Sequence, residues 1–514
     1  MSIEPKRVVV TGMAGITGLG NRWEEIEANL RAGRNAVRRI PEWALIEGLN
    51  SHLGAPVDFV IPVHYPRKAI RSMGRVSLLA VRATEMALEH AGLLGNPILS
   101  GGATGIAYGS SAGSVEPVRA FGKMMESNVM AGITATTYIQ MMPHTTAVNT
   151  ALHFGLKGRV VPTSSACTSG SQAIGYACEA IRYGKQTVML AGGAEEISAA
   201  SAAVFDLLFA TSTKNDTPAL TPRPFDQNRD GLVVGEGAAT LVLEEYEHAH
   251  ARGASILAEI VGFGTNSDGA HITQPDAGTM ATAMRLALAD AGMPASAIGY
   301  VSAHGTATDR GDIAESLATN EILGDAVPIS SMKSYLGHTL GACGAIEAWW
   351  AIEMMQRQWF APTLNLATPD PACAPCKAKA AGLYMICTIE KHRAERAGYS
   401  DALMLDYRGR VAECTGANVF LIKDGVIHTP DPDCFLDGIT RRTVIGLAKA
   451  RGIEVQERAI WPNELGTFSE VFLTGSAAEI TPVREIAGTK FTPGKMTEQL
   501  IADFSALVRR KNAS

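Results

Sequence analysis

The chain has 514 residues, of which 46% are hydrophobic, 19% charged and 6% aromatic, with 52 glycines. That composition is globular, it excludes a disordered or collagen-like chain, and the length is that of about three or four domain-sized units. A balance of 45 basic against 51 acidic residues gives a net charge of −6, which argues against nucleic acid as the main partner.

The first predicted element is a short strand, Arg7 to Val10, running into a glycine-rich turn. Met1 to Gly20 lacks the apolar region and cleavage site of a signal peptide. The longest charge-free stretch, Ser127 to Leu156, is studded with Thr, Asn and His, unlike a bilayer span. Eight cysteines without regular spacing point to a reducing cytoplasm. No membrane association is expected.

Residues 1 to about 370 alternate short apolar runs with helical segments, the pattern of an α/β fold. Two internal echoes run through them. Met86-Ala-Leu-Glu-His-Ala-Gly92 resembles Leu286-Ala-Leu-Ala-Asp-Ala-Gly292, and a strand succeeds each, Gly105–Gly109 and Ile298–His304. Val160–Ile174 is echoed by Val327–Ile346, both reading strand, Ser-Ser, then a turn of small residues opening a helix. Two related halves are expected, 1–250 and 251–375. Gly15, Gly18 and Gly20 have the wrong order for a dinucleotide fingerprint.

Near residue 370 the texture changes. Pro369, Pro371 and Pro375 interrupt the pattern, and Cys373 with Cys376 forms a lone CxxC. With no second pair or histidine cluster nearby, no metal is predicted there. Strands are expected at Ala402–Asp406, Val419–Ile422, Val426–His428 and Val471–Leu473, with a helix from about Thr440 to Arg451. Lys423-Asp424-Gly425 is a hairpin turn signal. Residues 376–514 read as a different, hairpin-rich α+β domain.

Cys167 comes after an apolar strand and precedes a helix of small residues. A thiol near a helix N-terminus has its pKa lowered and is a competent acyl acceptor. Cys178, on the helix itself, fits a buried structural role. His304, in His-Gly-Thr-Ala-Thr308 at a strand end, and His338, in Lys333-Ser-Tyr-Leu-Gly-His338, each follow an apolar strand and meet a Gly-rich turn. α/β folds present catalytic groups at such places.

Residues 1 to about 375 closely resemble the β-ketoacyl-acyl carrier protein synthases of the condensing-enzyme, thiolase-like family. The matches are Val8-Val-Val-Thr-Gly12, Ser165-Ala-Cys-Thr-Ser-Gly170, Ala191-Gly-Gly-Ala-Glu195, Arg223-Pro-Phe-Asp226, Gly235-Glu-Gly-Ala238, Asn266-Ser-Asp-Gly269, His304–Thr308 and Lys333–His338. The Cys-His-His set is similar to the elongating branch. The resemblance implies that Cys167 accepts an acyl chain from a carrier protein, while His304 and His338 donate N–H groups to the enolate left by malonyl decarboxylation. It implies that Lys333, Asp312, Glu315 and Glu347 form the polar network around them. It further implies a homodimer, no cofactor, and an acidic carrier protein as partner. Arg67, Lys68, Arg71 and Arg75 form a basic cluster suited to that carrier, their spacing placing three on one helical face.

The resemblance ends at about Pro375, before the final strand and Phe-Gly-Gly-type loop that complete the oxyanion hole in this family. The segment from about 377 to 510 resembles the fold-type IV pyridoxal-phosphate enzymes, specifically branched-chain amino acid aminotransferases. The matching stretches are Lys379–Tyr384, Gly398–Asp406, Glu413–Phe420, Leu436–Arg441 and Thr474–Val483. This second resemblance implies pyridoxal phosphate as cofactor, with Lys379 as the Schiff-base lysine and Glu413 against the pyridine nitrogen. Tyr384 would face the phenolic oxygen, and Gly438, Ile439, Thr440 and Ser476 would hold the phosphate. The N-terminal domain of that family has no counterpart before Lys379. Three readings are open: a 3-oxoacyl carrier protein synthase of fatty acid biosynthesis with a foreign tail, which is favoured; a half transaminase; or a catalytically dead chimaera of the two.

Overall fold

In the computed structural model, the described residues are 5–269, 274–325, 327–373, 391, 393–406, 408–432, 435, 438–475 and 478–509. The chain divides into two compact units, Met1–Ala381 and Gly382–Ser514. None of the helices described is long and apolar enough to cross a membrane.

The first unit is built on six strands, β1 (Val8–Thr17), β2 (Thr104–Gly109), β3 (Val160–Thr163), β4 (Val188–Glu195), β5 (Gly237–Glu245) and β6 (Ala258–Glu259). Their order is β3-β2-β4-β5-β1-β6. β2 runs parallel to β3 and β4, whereas β5 is antiparallel to β4 and β1. β1 and β4 are buried along their whole length because helices cover both faces of the sheet. On one face lies α1 (Arg75–His90), which buries Val76, Leu79, Ala80, Ala83 and Ala87 at helical spacing. On the other lie α2 (Ser169–Arg182) and a later helix, Cys343–Gln356, whose Trp349 and Trp350 fill the core with Met13 and Leu241.

The glycine-rich turn expected after Val10 is not a turn. β1 continues through Gly12 and Gly15 to Thr17. The glycines are there because helices press on the strand. A Cβ at Gly12 would lie 2.5 Å from the Ala87 carbonyl oxygen, and one at Gly15 would lie 2.4 Å from the Trp349 ring.

The second half of the unit repeats the first. A Cβ at Gly262 would meet the Ala287 oxygen at 2.5 Å and the Ala291 Cβ at 2.8 Å. Gly12 meets Ala87 and Ala91 in the same way. Helix α3 (Ala277–Ala291) therefore packs on residues 258–262 as α1 packs on β1. β7 (Val301–Ser302) and β8 (Ile329–Ser330) are parallel, as β2 and β3 are, and α4 (Asp309–Leu323) lies between them in the chain. α2 and α5 (Cys343–Gln356) approach at glycines from both sides: a Cβ at Gly170 would lie 2.9 Å from Ala345 N, and one at Gly344 would lie 2.8 Å from Ser171 N.

The repeat stops short. Among the described residues the second sheet is β7 and β8 alone, with no equivalents of the long central strands β4 and β5. Leu286 on α3 and Leu317 on α4 are exposed.

The second unit has a five-stranded sheet of β9 (Asn418–Lys423), β10 (Val426–Thr429), β11 (Val455–Glu457), β12 (Glu470–Gly475) and β13 (Glu479–Pro482), in the order β11-β10-β9-β12-β13. The β9–β10 turn places Asp424 and Gly425 in the left-handed region, at φ 51° and 80°, as a two-residue hairpin requires. Along β9 the side chains alternate. Phe420 and Ile422 pack beneath α6 (Ile439–Ala450) and α7 (Lys495–Val508), while Val419 and Leu421 pack with Ile460 and Phe468 on the other face.

Candidate active site

Cys167 sits in a single 3-10 turn, Ala166–Thr168, that leads directly into α2. The residue before it, Ala166, has φ 50°, a left-handed conformation costing a non-glycine residue about 1–2 kcal/mol. Backbone strain of this kind lifts a nucleophile clear of its strand. The thiol does not have the lowered pKa expected at a helix start. Burial raises it, and the Lys333 ammonium pulls in the opposite direction.

His338 Nε2 lies 2.9 Å from Cys167 Sγ. On the other side of the ring, Leu340 donates its backbone N–H to Nδ1 at 3.2 Å. That bond makes Nδ1 the acceptor and leaves the proton on Nε2, facing the sulfur. The His304 ring stands edge-on to His338, with centroids 5.1 Å apart. Desolvation, with the Lys333 charge second, holds both histidines well below the ordinary imidazole pKa. They are neutral near pH 7. His338 is enclosed, and His304 follows β7 on the turn that leads into α4.

Donor atoms of Cys167, His304 and His338 lie within 4.8 Å of one another. A soft metal ion could use such a set by distance, but the Leu340 N–H keeps the proton on the His338 nitrogen that a metal would need.

Lys333 Nζ is buried and bonded to Glu347 Oε1 at 2.5 Å. Burial lowers the ammonium's pKa, but Cys343, Glu347 and Glu315 raise it further, so the net shift is upward and Lys333 stays charged. Glu315 accepts the backbone N–H groups of His304 at 2.7 Å and Gly305 at 2.6 Å. Asp312 touches neither histidine. Its two oxygens take the N–H groups of Phe225, at 2.7 Å, and Ala307, at 3.1 Å. Both are non-glycine residues with positive φ, 65° and 64°. Asp312 thus pins two strained turns beside the histidine-bearing loop.

Comparison with known proteins agrees with this arrangement. Residues 5–249 match the β-ketoacyl synthase N-terminal domain, and residues 257–367 match its C-terminal domain. The 3-oxoacyl-[acyl-carrier-protein] synthase 1 of Haemophilus influenzae is 37% identical over 379 residues, covering 72% of this chain and 91% of that protein. The chain belongs to the β-ketoacyl synthase family. The crystal structure of a β-ketoacyl synthase from Burkholderia phymatum superimposes with a TM-score of 0.72 at 68% identity, covering 73% of this chain and 92% of that one. A ketosynthase solved in complex with its type II polyketide acyl-carrier protein gives 0.64 at 32% identity, with 72% and 91% covered.

Residues 350–486 match the class IV aminotransferase family, so the chain joins a synthase to part of an aminotransferase. The two matches overlap over 350–367, and the structure assigns the start of that overlap to the synthase: Trp350, Ile352 and Met354 of α5 are in the core of the first unit. In the second unit Glu413 is largely enclosed on the strand Val411–Cys414. Burial pushes its carboxyl up to about 7, and Asn418 Nδ2 donates to it at 3.3 Å. Gly438 caps α6, with Ile439 and Thr440 its first residues. The Gly438 N–H is taken by Asn418 Oδ1 at 3.2 Å. Lys379, Tyr384, Ser476 and Cys376 lie outside the described residues.

The basic cluster is divided differently from expectation. Arg67 and Lys68 open a four-residue helix, Arg67–Ile70, with Arg71 as its C-cap, and all three are exposed. Arg75 begins α1 after a break at Ser72–Gly74. It is tied instead to the fully buried Glu236 at 2.6 Å and to the Val57 carbonyl at 2.8 Å. Sequence reasoning also missed Glu195, whose only signal was an acidic residue closing the small-residue strand Ala191-Gly-Gly-Ala-Glu195, and Cys343, whose Sγ donates to the Cys167 carbonyl at 3.2 Å.

Proposed function

We propose that the chain is a 3-oxoacyl-[acyl carrier protein] synthase in which Cys167 is the acyl acceptor and His338 and His304 stabilise the enolate. The observation that carries this reading is the Cys167–His338 contact of 2.9 Å with the proton fixed on Nε2. In the first step the acyl carbon bonds to Cys167 Sγ, its bond to the carrier sulfur breaks, and the Cys167 proton leaves with the carrier thiol. A malonyl carrier then loses carbon dioxide. The electron pair of the broken C–C bond becomes an enolate, whose oxygen takes the Nε2–H of His338 and an N–H of His304. The enolate carbon attacks the acyl carbonyl, the bond to Cys167 Sγ breaks, and the released thiolate is reprotonated from water. Neutral imidazoles suit this work, because a histidinium would also attract the malonyl carboxylate that must leave.

Loss of one N–H donor to the enolate oxygen costs roughly a hundred- to a thousand-fold in rate. Incubation with acyl and malonyl carrier proteins tests this by mass spectrometry of the product. A 3-oxoacyl carrier is expected, reduced at least a hundred-fold in His338→Ala and His304→Ala. Product formation unchanged in both variants would overturn the assignment.

An acyl carrier protein is the proposed partner, received at Arg67, Lys68 and Arg71. A homodimer through β3, the outermost strand of its sheet among the described residues and one where Val160 is exposed, fits that edge position. A cytoplasmic location is in keeping with the free state of all five described cysteines.

For the second unit, the chemistry of Glu413 fits pyridoxal phosphate. A half-buried carboxyl held by one amide would gain a charged partner from a protonated pyridine nitrogen, and the Ile439 and Thr440 N–H groups at the start of α6 face the phosphate's kind of charge. The cofactor would supply an electron sink for amino-group transfer; Glu413 would hold the ring proton. Borohydride treatment after incubation with pyridoxal phosphate should leave a mass increment on the peptide containing Lys379. Absence of the increment would discard the transaminase reading.

A further inference from the structure

We propose that Glu195 is a positioning residue for the condensation: it clamps the turn that fixes the His338 tautomer. This rests on the synthase reading above. Glu195 ends β4 and is buried. Its Oε2 accepts two backbone N–H groups from opposite halves of the unit, Ser111 at 2.8 Å and Gly341 at 3.0 Å. Its Oε1 faces the Ser110 hydroxyl at 3.4 Å.

Gly341 belongs to the 3-10 turn Leu340–Ala342, whose first residue gives its N–H to His338 Nδ1. Leu340 itself is held at φ 45°, a conformation that a leucine keeps only when its surroundings impose it. The surroundings are tight on every side. A Cβ on Gly341 would stand 2.8 Å from both Glu195 Oε2 and Ser111 N, and one on Gly193 would stand 2.2 Å from the Gly341 oxygen. With Oε2 in place, Leu340 points its N–H at Nδ1 and the proton stays on Nε2, facing Cys167. Without it, the turn is free to relax and either imidazole tautomer is allowed.

Burial, with Glu196 adding to it, pushes the carboxyl up to about 7 against the pull of the Ser111 and Gly341 N–H groups. Oε1 accepts from the Ser110 hydroxyl, so Oε2 is the oxygen left to both N–H groups. The clamp thus depends on an oxygen at the Oε2 position, and not on charge.

Two substitutions separate these properties. Glu195→Gln keeps an oxygen at that position without the charge, while Glu195→Asp keeps the charge and falls one methylene short. Nitrogen-15 spectra of His338 should show a single Nε2–H tautomer in the wild type and in Glu195→Gln, and mixed tautomers in Glu195→Asp. The condensation kcat should fall about tenfold or more in Glu195→Asp, with KM for the malonyl carrier unchanged, and stay within about twofold in Glu195→Gln. An unmixed tautomer in Glu195→Asp, or a loss in Glu195→Gln as large as in Glu195→Asp, would overturn the clamp. If the wild type makes no 3-oxoacyl product, the synthase reading fails, and the His338 spectra still decide whether Glu195 sets the tautomer.

Discussion

Single residues in this chain gain their properties from where their charge is placed. Lys333 is buried with Glu347 against it and Glu315 near, so one ammonium offsets two carboxylates and depresses two histidines at once. Burying such a pair gains little by itself; removing one partner leaves an uncompensated charge worth about 3–5 kcal/mol. Glu413 is the opposite case, a carboxyl in the second unit raised to about 7 by burial. An acid whose pKa is raised by folding contributes stability below its unfolded value, and that contribution is lost as pH rises through the folded value. Without added cofactor, Glu413→Gln should therefore stabilise the second unit at pH 8 by on the order of 2 kcal/mol and do nothing at pH 4. Denaturant melts at the two pH values measure it. An equal effect at both would show that Glu413 is charged or neutral throughout.

At the scale of elements, the short helix Arg67–Ile70 shows what helical spacing can and cannot reveal. Arg67, Lys68 and Arg71 are exposed, while Arg75 is bonded to Glu236. Charge reversal of Arg67 and Lys68 together should raise KM for the carrier about tenfold and leave kcat alone, with the difference shrinking in high salt. Arg75→Ala should instead lower the melting temperature. The steady-state rates and melts of the two variants check the division, and a KM effect confined to Arg75→Ala would reverse it. The break at Ser72–Gly74 was not legible because it depends on the Ser114 side chain, which a Cβ at Gly74 would strike at 2.2 Å. β1 was misread for a related reason. Gly12 and Gly15 look like a turn in isolation, and only helices 75 and 334 residues further on make them strand. Cys167, His304 and His338 were legible because each follows an apolar run and meets a turn of small residues, a local signal. Asp312 was found by resemblance, but its work on Phe225 and Ala307 needed the two positive φ values to be seen.

The whole molecule is a sum of two parts. The synthase unit repeats one motif twice, and the recurrence of Gly12 at Gly262 against matching alanines was foreshadowed by the echo of Met86–Gly92 in Leu286–Gly292. The relatives extend about a tenth of their length beyond what this chain matches, and among the described residues the second sheet has two strands where the first has six. The change of texture near residue 370 was plain in the sequence. The pairing of strands in each half was not, because it depends on which strands lie side by side. The nucleophile stands apart from the shorter second sheet, since Cys167, His338, Leu340 and Glu195 are held by the intact sheet and by α5. Central to all of this is that Cys167 is a working acyl acceptor, and intact-protein mass spectrometry after incubation with an acyl carrier protein tests it most directly. The expected result is one acyl mass per chain, located on the Cys167 peptide and absent from Cys167→Ala. A folded protein that remains unacylated, or that carries the label elsewhere, would contradict it.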